Sequence, residues 1–380
     1  MATGVYRQKT RILENERLIK MDNHIRLEAS LSTLKNGTFE VIGITNLCKS
    51  KKITEKEIIS SRGEFAGYFV ENGKLGIFRD RIGGRNIYYH IEGAKILAST
   101  DTAWIASKLP SVEPNLEFIL NDYMQFQIPF GEETFFKNIK KVLPGEIVYI
   151  ASNGTSSRKK YWNIEFGNQS FDPAELLCLV KDAVNFRIEA IKPNKYTAYL
   201  SGGLDSSAIS LLSTPKETFS GFYEEEGYSE MDYIESVIAK TRNITGYVKV
   251  KISENDFYRY VAKLPEILPD PSCGLGVIPQ VIVAEQASRK GYKYAFTGEG
   301  GDEIFLGYNW NTMIFTLANA ARNLSRDRYM VRYEGMIEKI LQDGMPTLTG
   351  GLLSRGDNLY YSTKKILDVW DKNESVENNI

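Results

Sequence analysis

Two stretches hold most of the chemistry written into this sequence. The first, Ser201-Gly202-Gly203-Leu204-Asp205-Ser206-Ser207, follows an apolar run ending at Leu200 and leads into Ala208-Ile209, the start of an apolar helix pattern. Adjacent glycines let the backbone approach a ligand with no Cβ in the way, and a helix N-terminus offers unpaired N–H groups with partial positive charge. With hydroxyls from Ser201, Ser206 and Ser207, the string reads as a cradle for a pyrophosphate. No Gly-Lys-Ser/Thr ending follows, so it is not a Walker loop. Asp205 would repel phosphate unless a divalent cation lay between, and Mg2+ held by one or two carboxylates plus phosphate oxygens is the usual answer. A strand–turn–helix junction whose serines and aspartate only cap the helix is the plainer reading. It fits each residue singly but not the seven together.

The second stretch is Thr297-Gly298-Glu299-Gly300-Gly301-Asp302-Glu303, running on to Ile304 and Tyr308. Three glycines among acids after a short apolar strand again suit a backbone pressed against phosphate with a carboxylate aimed at metal. The ligands these residues suit are therefore a pyrophosphate group and Mg2+. The plainer reading of Glu299 is a solvated loop acid.

Positioning these loops requires strands that end where they begin. From residue 26 to 150 the pattern is short β-type runs at 39–44, 65–70, 75–78, 86–91, 96–98 and 146–150. Turn pairs such as Asn72-Gly73, Gly83-Gly84 and Pro144-Gly145 separate them, as in an antiparallel sheet. One helix-like segment, 116–126, interrupts. Residues 151–170 are polar and read as a boundary loop. Beyond it the rhythm alternates: helix 173–190, strand 197–200, helix 206–212, strand 217–222, helix 230–241, strand 246–252, helix 277–290, strand 294–297. The expected fold class is α/β, a β-rich α+β N-terminal domain (1–155) followed by a doubly wound parallel sheet (170–380). In such a sheet ligands sit beyond the carboxyl ends of the strands.

The first loop resembles the signature of the ATP pyrophosphatase family, whose members cleave ATP between the α and β phosphates. The pair of loops is similar to the synthetase domain shared by asparagine synthetases, β-lactam synthetases and lasso-peptide cyclases, and residues 183–209, 218–239 and Asp270-Pro271 follow in the matching order. The resemblance implies that Leu200, Ser201, Gly202, Gly203, Asp205, Ser206, Ser207, Ser220, Gly298 and Gly300 bind ATP. It implies that Asp205 and Asp302 carry Mg2+, and that Glu299 faces an acyl-adenylate, where a carboxylate takes a proton from the attacking amine. Arg62 to Phe69, Arg79-Asp80-Arg81-Ile82-Gly83-Gly84-Arg85-Asn86-Ile87-Tyr88-Tyr89 and Pro144-Gly145-Glu146 look like the glutaminase domain of asparagine synthetases. That domain needs a cysteine directly after the initiating Met. Position two is Ala2, and Cys48 lies in the Lys-rich stretch 46–52. An inactive glutaminase-like domain with a structural role is expected, with peptide docking as a minor alternative. Relatives also carry a charge-stabilising lysine in a longer C-terminal part. Lys339, Lys364 and Lys365 are available, though a solvated face is the plainer reading of each. A rebuilt C-terminal part, a partner chain or reduced activity would account for the difference.

The implied activity is an AMP-forming carbon–nitrogen ligase that adenylates a small-molecule or peptide carboxylate. Ring closure within one molecule, such as β-lactam or macrolactam formation in natural-product biosynthesis, is the leading expectation. An ammonia-dependent asparagine synthetase and a catalytically reduced partner or scaffold subunit are the alternatives. Lys plus Arg number 47 against 48 for Asp plus Glu, which gives no electrostatic reason to expect nucleic acid or a membrane surface as partner. Thiolation or amidation of tRNA is disfavoured on that ground and for want of a reactive cysteine pair. The partners expected are the carboxylate substrate and a homodimer or partner subunit. His24 and His90 are the only histidines, and Cys48, Cys178 and Cys273 form no CxxC pair. Zinc sites, Ser-His chemistry and a disulfide framework are thus disfavoured. With no signal-like segment and no apolar run of membrane-spanning length, the expected location is the cytoplasm.

Overall fold

The computed structural model describes residues 24–124, 131–164, 172–224, 230–241, 244–268, 276–305 and 307. The chain divides into two compact units, residues 1–298 and 299–380, and every strand named below belongs to the first.

Two antiparallel sheets come first. One has the order β1 (Arg26–Ser30), β6 (Lys95–Ser99), β5 (Tyr88–Glu92), β7 (Lys140–Lys141), and the other runs β2 (Phe39–Thr45), β3 (Gly63–Glu71), β4 (Lys74–Arg79), β8 (Glu146–Ile150), β9 (Ser156–Lys160). They face each other across a core that takes Leu27 from β1, Ala66, Tyr68 and Val70 from β3, Ile77 from β4, Tyr89 from β5 and Val148 from β8. The alternate residues of β3, Phe65 and Phe69, point the other way into a second cluster with Phe78, Leu47 and Ile58, the last on the helix Glu55–Ser60. Both faces of β3 are therefore covered, which is why its apolar run is continuous rather than alternating. On the far side of the other sheet, Tyr88 and Leu97 pack with Ile105 of the helix Thr102–Ala106. The layers read helix, sheet, sheet, helix.

Two expectations are corrected here. The polar stretch 151–170 contains β9, which pairs with β8 through a turn at Asn153-Gly154, where Gly154 has φ +84°. All five β9 residues are exposed. An edge strand of Ser, Arg and Lys has no buried face to betray it, and its charges discourage further pairing. The helix-like segment 116–126 is a single helical turn, Leu116–Phe118, that widens into a π-type turn, Ile119–Tyr123.

The sequence Arg79-Asp80-Arg81 closes this region. Asp80 is fully buried: one carboxylate oxygen accepts from the Ile82 and Gly84 amides at 3.1 and 3.0 Å, the other from Phe65 and Arg85 at 3.2 and 3.0 Å. Arg79 donates to the carbonyls of Gly83, Arg85 and Val142 at 2.6, 2.9 and 3.2 Å. One carboxylate and one guanidinium thus give partners to the irregular backbone between β4 and β5 and tie it to Phe65 on β3 and to Val142.

The third sheet is parallel, in the order β12 (Gly246–Lys251), β11 (Glu217–Phe222), β10 (Tyr196–Tyr199), β13 (Tyr294–Phe296). The helices Glu254–Val261 and Val277–Arg289 cover one face, burying Tyr260, Ile278, Ile282 and Val283 against Phe219 and Val250. The helix Leu204–Ser213 lies against β10 and β13. The fold class is the one read from the sequence: β-rich layers followed by a doubly wound parallel sheet. The helix Pro173–Ile191 joins the two, started by Asp172, whose side chain accepts from the Ala174 amide at 2.9 Å, and by Pro173 in its first turn. Its Asp182 pairs with Arg62, whose guanidinium sits 4.9 Å over the Phe186 ring, and its Arg187 meets Glu64 at 3.0 Å. Among the described residues no helix is long and apolar enough to cross a membrane.

Replacing Asp80 by Ala would strand four amides without an acceptor. Urea unfolding of Asp80→Ala is expected to show a loss of about 3 kcal/mol at unchanged m-value, whereas a change within a few tenths would refute the bracing role.

Candidate active site

The strand order places the starts of both glycine-rich loops at one place. From β10 the chain winds outward through β11 to β12, and β13 then returns to the opposite side of β10. The order therefore reverses between β10 and β13, the topological switch point where an open parallel sheet leaves a crevice at its carboxyl end. Register pairs Tyr196 with Tyr294 and Ala198 with Phe296, so the two strands finish side by side. One runs into residues 201–207, the other into Thr297 and Gly298.

The first loop is folded largely by its own serines. The buried Ser206 hydroxyl accepts from the Ser201 amide at 3.2 Å, lies 2.9 Å from the Ser201 hydroxyl and donates to the Gly203 carbonyl at 3.2 Å. Gly202 has φ +85°, and a Cβ there would fall 3.0 Å from the Tyr233 Cβ and 3.2 Å from Ile234 of the helix Met231–Lys240. Glycine is thus required twice over, by backbone conformation and by close approach. Leu204–Ser213 starts with Gly203 as N-cap and no side-chain cap bond, which leaves its first amides to a ligand. The Ser207 hydroxyl oxygen is buried without a hydrogen-bond partner. An orphaned donor beside uncapped helix amides fits a phosphate, whose oxygens only accept. Asp205 is half-exposed in the first turn, where a carboxylate suits a magnesium ion facing those phosphates. Leu200 and Ser220 lie beneath the loop, both buried, and the Ser220 hydroxyl donates to the Leu200 carbonyl.

Gly298 meets this loop directly. A Cβ built on it would lie 2.7 Å from the Ser206 backbone nitrogen, 3.0 Å from the Asp205 Cβ and 3.1 Å from the Asp205 carbonyl carbon. Glycine alone lets the end of β13 rest on the first turn of the loop helix.

In the second unit Gly300 has φ +92° and opens the short helix Gly301–Phe305, with Ile304 donating to the Gly300 carbonyl at 3.2 Å. Asp302 is half-exposed and Glu299 exposed. Gly307 donates to the Asp302 carbonyl at 3.0 Å, and a Cβ on Gly307 would fall on the Asp302 carboxylate, 1.8 Å from its Oδ1. Gly307 thus gives that carboxylate room against the backbone. Among the described residues no three His, Cys, Asp or Glu side chains cluster as a metal centre. Cys48 and Cys178 are exposed free thiols. Ala2, Asp270, Pro271, Cys273, Tyr308, Lys339, Lys364 and Lys365 lie outside the described residues.

Sequence reasoning missed the helix residues that hold Gly202, Tyr233 and Ile234, and Tyr247 on β12. Their contacts arise from the crossover between strands, and no local spacing marks them.

The family model described as asparagine synthase matches residues 175–373, and that described as glutamine amidotransferase domain matches residues 47–162. Asparagine synthetase [glutamine-hydrolyzing] 1 of Bacillus subtilis is 30% identical over 301 residues, covering 76% of this chain and 46% of that protein. Amidase chyE of Penicillium rubens is 28% identical over 285 residues, covering 65% and 40%. The chain spans less than half the length of these curated relatives. Among solved structures, glutamine phosphoribosylpyrophosphate amidotransferase from B. subtilis complexed with ADP and GMP matches with 14% identity and a TM-score of 0.19, covering 53% of this chain and 36% of that one. Glutamine-dependent NAD+ synthetase from Acinetobacter baumannii in complex with ADP gives 12% and 0.26, covering 90% and 81%. Scores this low carry no argument.

Because the Ser206 amide is backbone and cannot yield, Gly298→Ala is expected to weaken Mg·ATP binding at least tenfold in calorimetry, about 1.4 kcal/mol. Gly276→Ala, where a Cβ meets nothing within 4 Å, serves as the control and should bind as the unmodified protein does. Equal affinity of the two variants would refute the contact's importance.

Proposed function

Since this chain belongs to the asparagine synthase family, we propose that it is an ATP-dependent, AMP-forming ligase that adenylates a carboxylate and joins it to an amine. The observation that carries this reading is the seating of the Gly298 backbone on Asp205 and Ser206 at the reversal of the sheet. An uncapped helix start with an orphaned serine hydroxyl supports a pyrophosphate there.

The reaction follows from charge. An oxygen of the substrate carboxylate attacks the α-phosphorus of ATP, forming a C–O–P anhydride while the bond to pyrophosphate breaks. The first-turn amides and the Ser207 hydroxyl donate to the departing pyrophosphate, where negative charge builds. Ser201 and Ser206 hold the loop in shape for that donation, and Leu200 with Gly298 flanks the adenosine. Asp205 would hold magnesium, which when bound neutralises phosphate charge. Asp302, on the resemblance alone, is proposed to serve magnesium as well, Gly300 to contact ATP, and Glu299 to take the proton from the amine as its nitrogen attacks the acyl carbon and AMP leaves.

The amine is proposed to come from the substrate itself, so that the product is a ring such as a β-lactam or peptide macrolactam. The glutaminase-like layers are proposed to serve structurally: Asp80 braces their backbone, and Arg62 and Glu64 meet the helix Pro173–Ile191. A second reading, an ammonia-dependent asparagine synthetase, is favoured by the Bacillus subtilis relative. In either case the protein is proposed to act in the cytoplasm, alone as a homodimer or with a partner subunit, and to use neither nucleic acid nor a membrane.

ATP–pyrophosphate exchange across a panel of carboxylates, aspartate and linear peptides included, tests the proposal. Exchange is expected with at least one of them, falling roughly a hundredfold in Asp205→Ala. Asparagine formed from aspartate and ammonium would select the second reading. Absence of exchange with every acid, in a protein that binds its partners normally, would leave a scaffold subunit instead.

A further inference from the structure

The buried hydroxyl of Ser220 is 20 residues away in sequence from the carbonyl it serves. β10 and β11 pair at Ala198–Thr218 and Tyr199–Phe219, and the Leu200 amide still donates to the Phe219 carbonyl at 3.0 Å. The Leu200 carbonyl, the last backbone acceptor before the glycine loop, receives its hydrogen bond from the Ser220 side chain. Tyr247 stands on the next strand, paired in register with Thr218 and so on the same face as Ser220. Its hydroxyl donates to the Met231 sulfur at 3.4 Å. A hydroxyl has one proton. The Ser220 proton goes to the Leu200 carbonyl and the Tyr247 proton to the sulfur. Met231 begins the helix whose Tyr233 and Ile234 pack on Gly202. Two side chains on one face of the sheet therefore serve the two supports of the loop: Ser220 the carbonyl where it leaves β10, and Tyr247 the helix against which it turns.

We infer that Ser220 and Tyr247 are positioning residues, two braces that hold residues 200–203 in the shape that presents the first-turn amides to phosphate. Ser220 acts through the Leu200 carbonyl, and Tyr247 acts through Met231 and its helix. Without the serine hydroxyl the carbonyl is left buried with no donor and turns toward another, taking the first loop residues with it.

The test has two arms on the full chain, the second of which rests on the nucleotide reading above. In the free protein, hydrogen exchange of the Leu200, Ser201 and Ser207 amides is expected to quicken about tenfold in Ser220→Ala and in Tyr247→Phe, and to return to the original rate in Ser220→Thr, with β11 and β12 amides unchanged. In calorimetry with a magnesium complex of α,β-methylene-ATP, both single variants are expected to bind about tenfold more weakly. The double variant should be weaker than either, because each side chain holds a different support. Unchanged loop exchange, or acceleration spread evenly through the sheet, overturns the braces whether or not nucleotide binds. Faster loop exchange with unaltered affinity overturns their positioning role. An unmodified chain that binds no nucleotide overturns the proposed function, while the exchange arm still decides the braces.

Discussion

A single close approach organises this molecule. The backbone at Gly298 rests on the first turn of the helix Leu204–Ser213, so close that a Cβ on residue 298 would lie 2.7 Å from the Ser206 backbone nitrogen. For that contact to exist, β13 must lie beside β10 rather than beyond β12, which forces the strand order to reverse between them. Reversal opens the crevice at the carboxyl ends, and the crevice is where helix amides can meet a ligand. The apolar helices on both faces hold the sheet, but they would do so for other strand orders too. What the glycine adds is the juxtaposition of two loop starts.

The first loop shows how little of a binding string touches its ligand. Of its serines, Ser206 is engaged in closing the turn and Ser201 assists it, while Ser207 keeps an orphaned hydroxyl. Gly202 answers to the neighbouring helix. Ser220 answers to a carbonyl. A string of small polar residues is therefore partly a folding instruction for a backbone shape, and the shape does the binding. The glutaminase-like layers follow the same logic: the buried Asp80 is committed to four amides of its own chain.

Much of this was legible in the sequence because two signals were strong. Strands covered on both faces, such as β3, appear as unbroken apolar runs, and β8 and β11 fall at the residues their patterns mark. The helix Pro173–Ile191 has both its apolar spacing and its Asp-Pro start. β9 was illegible because an edge strand of lysines and serines buries nothing. The short helices Glu55–Ser60 and Thr102–Ala106 contribute mainly Ile58 and Ile105 to the core, too few positions for a period to emerge. Within the site, the glycines and Asp205 were visible as a string. The support from Tyr233, Ile234 and Tyr247 was not, since it is created by topology rather than by neighbours in the chain.

The most direct measurement is a crystal structure of the full chain with magnesium and α,β-methylene-ATP. The account predicts phosphate density over the amides of residues 204–206, within hydrogen-bond reach of the Ser207 hydroxyl, with the metal against Asp205 and the Gly298 backbone beside the adenosine. Density for the triphosphate elsewhere, or a first turn left bare at saturating nucleotide, would contradict it.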